Sequence, residues 1–125
     1  MNMTIEKLVT TSTMQKIENT SSVTLESFGE VANALTSPAC QIKGLKKVIP
    51  GKEDIRTGIW ECTPGKFQRE MDAAELMYII SGSLTFTSHD GESIDMNPGD
   101  TVFMPPNSNG VWDVKETVRK VYILL

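Results

Sequence analysis

The chain has 125 residues, 39% of them hydrophobic and 22% charged, which suits one soluble-type globular domain. Twelve Lys and Arg against sixteen Asp and Glu leave a net charge of −4. That balance argues against nucleic acid as a partner, because phosphate binding needs a concentrated positive patch.

The short basic run of Lys43, Lys46, Lys47 and Lys52 reads as solvated surface. No apolar stretch is long enough to span a bilayer, and residues 2–7 lack the apolar run of a secretory signal. No membrane partner and a cytoplasmic location are therefore expected. Cys40 and Cys62 are the only cysteines and form no CxxC, so reduced thiols fit the same compartment.

Residues 1–24 are rich in Thr and Ser, with Met3, Ile5, Leu8, Val9, Met14, Ile17 and Val23 scattered among them. Residues 1–27 read as an N-terminal extension, an edge strand on the body or one exchanged with a second subunit. Ser27 and Glu30 have capping-box spacing, and Phe28, Val31, Ala32 and Leu35 share a helical face. Pro38 closes that run, so one short helix over 28–36 is expected.

From Ile42 the texture changes to short β-branched and aromatic runs separated by turn signals. Strands are expected at 45–49, 57–62, 76–80, 84–87, 93–96, 101–104, 111–114 and 118–125. Pro50-Gly51, Pro64-Gly65, Asp90-Gly91 and Pro98-Gly99 punctuate them. No helical pattern alternates with the strands, which points to an antiparallel sandwich or barrel.

On a strand of period two, Glu75 shares a face with Met77 and Ile79, and Tyr78 points the other way. An inward Glu75 is a carboxylate in an apolar hole, whose raised pKa would suit a general base. The alternative is a structural ion pair with Lys120 or Arg119. Those two neighbours straddle the last strand, so only one faces inward, where it either pairs with Glu75 or binds a substrate carboxylate. Trp60 reads as core, while Trp112 reads equally as core or as a rigid pocket wall. Arg69, Glu70 and Asp72 read as a solvated loop ahead of Glu75, with a pocket rim as the alternative, His89 as an exposed turn residue, and Cys62 as a small buried side chain.

One block is more specific. Glu75-Leu76-Met77-Tyr78-Ile79-Ile80-Ser81-Gly82 is followed by a hairpin, Pro98-Gly99-Asp100, a hydrophobic strand and Pro105-Pro106-Asn107. Over 57–125 this resembles the two motifs of the cupin superfamily. The flanks Gly58-Ile59-Trp60-Glu61-Cys62-Thr63-Pro64-Gly65 and Gly110-Val111-Trp112-Asp113-Val114 resemble the branch that holds the ureidoglycine aminohydrolase-type domain and the ethanolamine-utilisation cupin. The resemblance implies an all-β jelly-roll β-barrel over 28–125, working as a homodimer.

Metal-binding cupins supply two His and a Glu from the first motif and a third His from the second. Counting back from Glu75, the two His positions fall on Gln68 and Glu70, or on Arg69 and Met71 with a loop one residue shorter. The third falls on Gly110 or Asn109. None is histidine, and His89 is the only one in the chain. Imidazole is what suits transition metals, so no cofactor is expected beyond a weakly held divalent cation on Glu75, Glu70 and Gln68.

The resulting expectation is a pocket centred on Glu75 that binds a small polar metabolite. Trp112, Arg119, Gln68, Glu70, Met77, Phe103 and Asn109 are its candidate lining, with Glu75 and Lys120 as its chemistry. Two other readings stand beside it. One is an aminohydrolase- or isomerase-like enzyme on a nitrogen- or carboxylate-bearing metabolite, in which Glu75→Gln would abolish turnover and spare stability. The other is an accessory or structural subunit.

Overall fold

The computed structural model describes residues 14–125. The apolar residues Met3, Ile5, Leu8 and Val9, on which part of the expected extension rests, lie outside the described residues.

Eight antiparallel strands make up the fold: β1 (Glu26–Glu30), β2 (Gln41–Lys47), β3 (Arg56–Cys62), β4 (Gly65–Arg69), β5 (Glu75–Ser88), β6 (Ser93–Met96), β7 (Thr101–Met104) and β8 (Gly110–Leu124). The architecture is the expected all-β jelly roll. It is organised by two long strands, because the expected pairs 76–80 with 84–87 and 111–114 with 118–125 each fuse into one.

β5 and β8 pair along their whole length, from Glu75 opposite Leu124 to Ser88 opposite Gly110. Each changes its other neighbour halfway. β5 takes β7 along its first half and β6 along its second. β8 takes β4 first and then β3, which continues outward to β2 and β1. Register breaks between Ile79 and Leu84 mark the fold-over. Gly82 sits there at φ +78, and a Cβ on it would lie 2.0 Å from the Thr117 carbonyl oxygen. Only glycine lets the strands cross that closely.

The inward faces of the bent strands form one core. Met77, Ile79, Leu84, Phe86, Met96, Val102, Met104, Trp112, Val114 and Val118 are all buried in it. Alternation explains the selection: Glu75, Met77 and Ile79 are buried while Tyr78 is 47% exposed.

The expected helix over 28–36 is corrected, since no helix exists among the described residues. Residues 26–30 instead pair with β2, with a bulge between Ser27 and Gly29. Phe28 lies over Gly44, where a Cβ would come within 2.3 Å of its ring. Further on, Leu35 donates its amide to the Lys66 carbonyl, and Gln68 donates its amide to the Asn33 carbonyl. Two sheet edges, β2 and β4, claim the backbone that a helix would have kept for itself. Gly29 inside the run had already weakened the helical alternative.

β4 was read as loop from the sequence. Its alternation is short, with Phe67 inward between exposed Lys66 and Gln68, and with Arg69 turned back toward the interior. That single strand decides the composition of the site.

Candidate functional site

Glu75 opens β5 opposite Met104 on one side and Leu124 on the other, so its side chain enters the barrel between two sheets. It meets two cations there. Lys120 Nζ donates to Glu75 Oε2 at 2.7 Å, with both side chains 2% exposed. Arg69 Nη2 lies 3.0 Å from Glu75 Oε1, with the Arg69 side chain 18% exposed. Both carboxylate oxygens therefore accept from cations.

Aromatic rings surround the Lys120 ammonium. It lies 4.8 Å from the Trp60 centroid, 5.0 Å from that of Trp112 and 5.9 Å from that of Tyr122. Met77 Sδ is 3.8 Å away. Burial, with the Arg69 guanidinium alongside, pulls the Lys120 ammonium down to about 8, against the opposing attraction of Glu75. Burial likewise holds the Tyr122 phenol above its ordinary value, with the Glu75 charge adding to it.

Arg69 stacks on the Trp112 ring at 4.8 Å, and Trp112 in turn packs on Phe86 at 5.4 Å. Trp112 is 1% exposed, yet its indole Nε1 has no hydrogen-bond partner among the described residues. Two cations thus meet on one carboxylate, and Trp112, whose N–H is unpartnered, lines the same void.

The open interior pocket expected around Glu75 is corrected. The void between Arg69, Met71, Glu75, Met104, Ser108 and Trp112 leaves no room for a water molecule. The long side chains of Arg69 and Lys120 and the Trp112 ring fill the space. Open volume lies outside it, in a cleft of about 430 Å³ beside β6 and β7 and another of about 290 Å³ between Arg69 and the residues after β1.

Of the two registers left open for the degenerate ligand positions, the shorter loop is the one that faces Glu75: Arg69 and Met71 line its void. Gln68 points outward, where its Oε1 lies 3.2 Å from His89 Nε2. Glu70 is exposed and, like Gln68, borders the smaller cleft. The oxygen cluster of Glu75, Glu70 and Gln68 is therefore not assembled. A divalent ion at Glu75 would also face Arg69 and Lys120 directly, so the residues present do not fit the metal that the fold usually carries.

Three further candidates sit elsewhere. Phe103 lies on the outer side of β7 and is 75% exposed. Asn109 Oδ1 accepts from the Met71 amide at 3.0 Å, a bond that shapes the loop ahead of Glu75. Arg119 is on the outer face, where its Nε donates to Glu61 Oε1 and its Nη1 donates to the Thr20 and Val23 carbonyls. It fastens the segment ahead of β1 to the barrel. Met77, Lys120 and Trp112 face Glu75, and beside them stands Arg69, which the sequence reading preferred as a solvated loop residue. Its signals in the sequence were the alternation with Phe67 and its place in one of the two degenerate ligand registers.

Cys40 and Cys62 are both fully buried in the core as free thiols. Burial pushes the Cys62 thiol far up, with the neighbouring Cys40 adding to it.

No helix among the described residues is long and apolar enough to cross a membrane. No curated protein matches the chain. A DUF861-family protein of Pseudomonas syringae superposes with a TM-score of 0.72 at 26% identity, over 82% of this chain. The present chain spans only 45% of that protein's length. The Clostridium difficile EutQ protein superposes with a TM-score of 0.61 at 20% identity, over 74% of this chain and 75% of its own, a likeness of fold. A Thermotoga maritima DUF861-family protein is 36% identical over 54% of this chain and 76% of its own, with a TM-score of 0.53. Residues 51–122 match the EutQ-like cupin domain. With more than half of its length so matched, the chain belongs to the EutQ-like cupin family.

Proposed function

We propose that this cupin binds a small anionic metabolite, a carboxylate or a similar oxygen acceptor, at the mouth of the barrel and without a metal. The surplus of cations over anions carries the reading: Lys120 and Arg69 meet on Glu75, the one carboxylate, and Trp112 with its unpartnered N–H lines the same void. The cluster has one positive charge in excess in a region of low dielectric, where an added anion is attracted strongly. Arg69 is its most exposed member and borders the smaller cleft. A shift of Arg69 toward that cleft opens the void, and its guanidinium can then hold an entering ligand carboxylate in a two-pronged grip.

The test is calorimetric titration with mono- and dicarboxylates of two to six carbons, with their amides as neutral controls. At least one acid should bind while its amide does not, and Arg69→Gln should abolish that binding. No binding by any acid, or equal binding of the amides, overturns the reading.

An enzymatic reading rests on Lys120 rather than Glu75. An amine brought to about 8 in an aromatic cage can serve as a base or nucleophile once Arg69 moves. It would show as turnover that rises with an apparent pKa near that value and is lost in Lys120→Met. We further propose a homodimer through the outer face of β5 and β7, where Tyr78 and Phe103 are exposed. A monomer in sedimentation equilibrium at micromolar concentration removes that proposal.

A further inference from the structure

The larger cleft bears on what the anion is attached to. It has a volume of about 430 Å³, and Met104 and Ser108 belong both to its lining and to that of the void at Glu75. Phe86, which lines the same cleft, packs on Trp112, so the cleft lies directly behind the site. Its walls are apolar at Phe86, Ile94 and Phe103. Its charged lining is of one sign: Asp90 and Glu92 stand there with no lysine or arginine. The Ser88 hydroxyl and the Glu92 amide both donate to Asp90 and hold its carboxyl below the usual carboxylate range, so it stays charged.

The path is therefore polarised. Its inner end offers two cations and the buried, unpartnered indole N–H of Trp112, which calls for an oxygen acceptor. Its outer end offers two carboxylates, and apolar surface lies between. We infer that the ligand is a zwitterion: a carboxylate that leads into the barrel toward Arg69 and Trp112, a short apolar chain along Phe86 and Met104, and a cationic nitrogen held at Asp90 and Glu92. The inference rests on the anion reading above and adds the second charge and its direction.

Matched pairs of probes test it: unbranched ω-amino acids of three to six carbons, each against the alkanoate of the same length, titrated at pH 7.5 and low salt. At one length the amino acid should bind roughly fivefold or more tighter than its alkanoate, the gain expected of one partly exposed ion pair. That gain should shrink with added salt. Asp90→Asn combined with Glu92→Gln should bring the affinity of the amino acid down to that of its alkanoate. Should the double variant lose its melting transition, Glu92→Gln alone is read the same way. Alkanoates that bind as tightly as the amino acids at every length, or a preference that survives the neutralised rim, overturn this inference and leave the anion reading standing. Binding by neither series overturns both.

Discussion

Lys120 and Glu75 meet at 2.7 Å across β8 and β5, each side chain 2% exposed, and Arg69 reaches the second oxygen of the same carboxylate. One buried anion is thus shared by two cations held on different strands. This makes Glu75 a structural keystone as well as the floor of the candidate site.

Glu75→Gln should therefore destabilise the protein by about 3–5 kcal/mol, because it leaves two buried cations without a counter-charge. Urea unfolding checks it. The sequence alone suggested that this substitution would spare stability, and the second cation is the reason it should not. A midpoint unchanged from wild type would mean that the cluster is solvated in solution.

Lys120→Met should cost less than half as much as Glu75→Gln. It leaves Arg69 and Glu75 as a one-to-one pair and replaces the lysine stem by an apolar chain of similar volume. The comparison of the two midpoints in urea tests this ordering, which reverses if Arg69 contributes little to the neutralisation of Glu75.

The lowered pKa of Lys120 has a defined sign. Below about 8 the group holds its proton both folded and unfolded, and stability does not depend on pH through it. Between there and its ordinary value of 10.5 the unfolded chain binds more protons, so the Lys120 contribution to stability rises with pH. Cys62 and Tyr122 oppose it at higher pH, because their raised values make stability fall as the unfolded chain ionises first. Both remain in Lys120→Met and largely cancel in a comparison with it over the window pH 8 to 9. Over it, the stability of wild type relative to Lys120→Met should increase, and a flat difference would refute the shift.

Cys40 and Cys62 should resist thiol reagents in the native protein. Both are fully buried, and the Cys62 thiolate is strongly disfavoured. An aromatic disulfide reagent at pH 8 should label neither in buffer and both in denaturant. Rapid native labelling of one would show local opening at the end of β3.

Arg119→Ala should loosen the segment ahead of β1, where Arg119 donates to Thr20 and Val23, at a cost of roughly 1–3 kcal/mol for charged hydrogen bonds lost. Hydrogen exchange is the readout: the Ser22 and Val23 amides, bonded to the Asn19 carbonyl, should exchange much faster while those of β5 are unaffected. Equal exchange rates in variant and wild type would assign the anchoring to other contacts.

What the sequence by itself determined rests on local rules. Period-two alternation grouped Glu75, Met77 and Ile79 on one face with Tyr78 on the other and put one of Arg119 and Lys120 inward, and turn dipeptides bounded β3, β6 and β7 closely. The absence of histidine at every expected ligand position followed from reading the chain alone. What only the tertiary structure decided involves partners far apart in sequence. The 28–36 region gave up its helix because the edges of β2 and β4 took its backbone groups. β5 and β8 became single bent strands because each half has a different neighbour. Arg69, outwardly an ordinary loop cation, became the second counter-ion of Glu75, since five residues of β4 turned it inward onto Trp112. A charge is read as surface from sequence until a strand pairing, here β4 on β8, brings it to a buried charge of opposite sign.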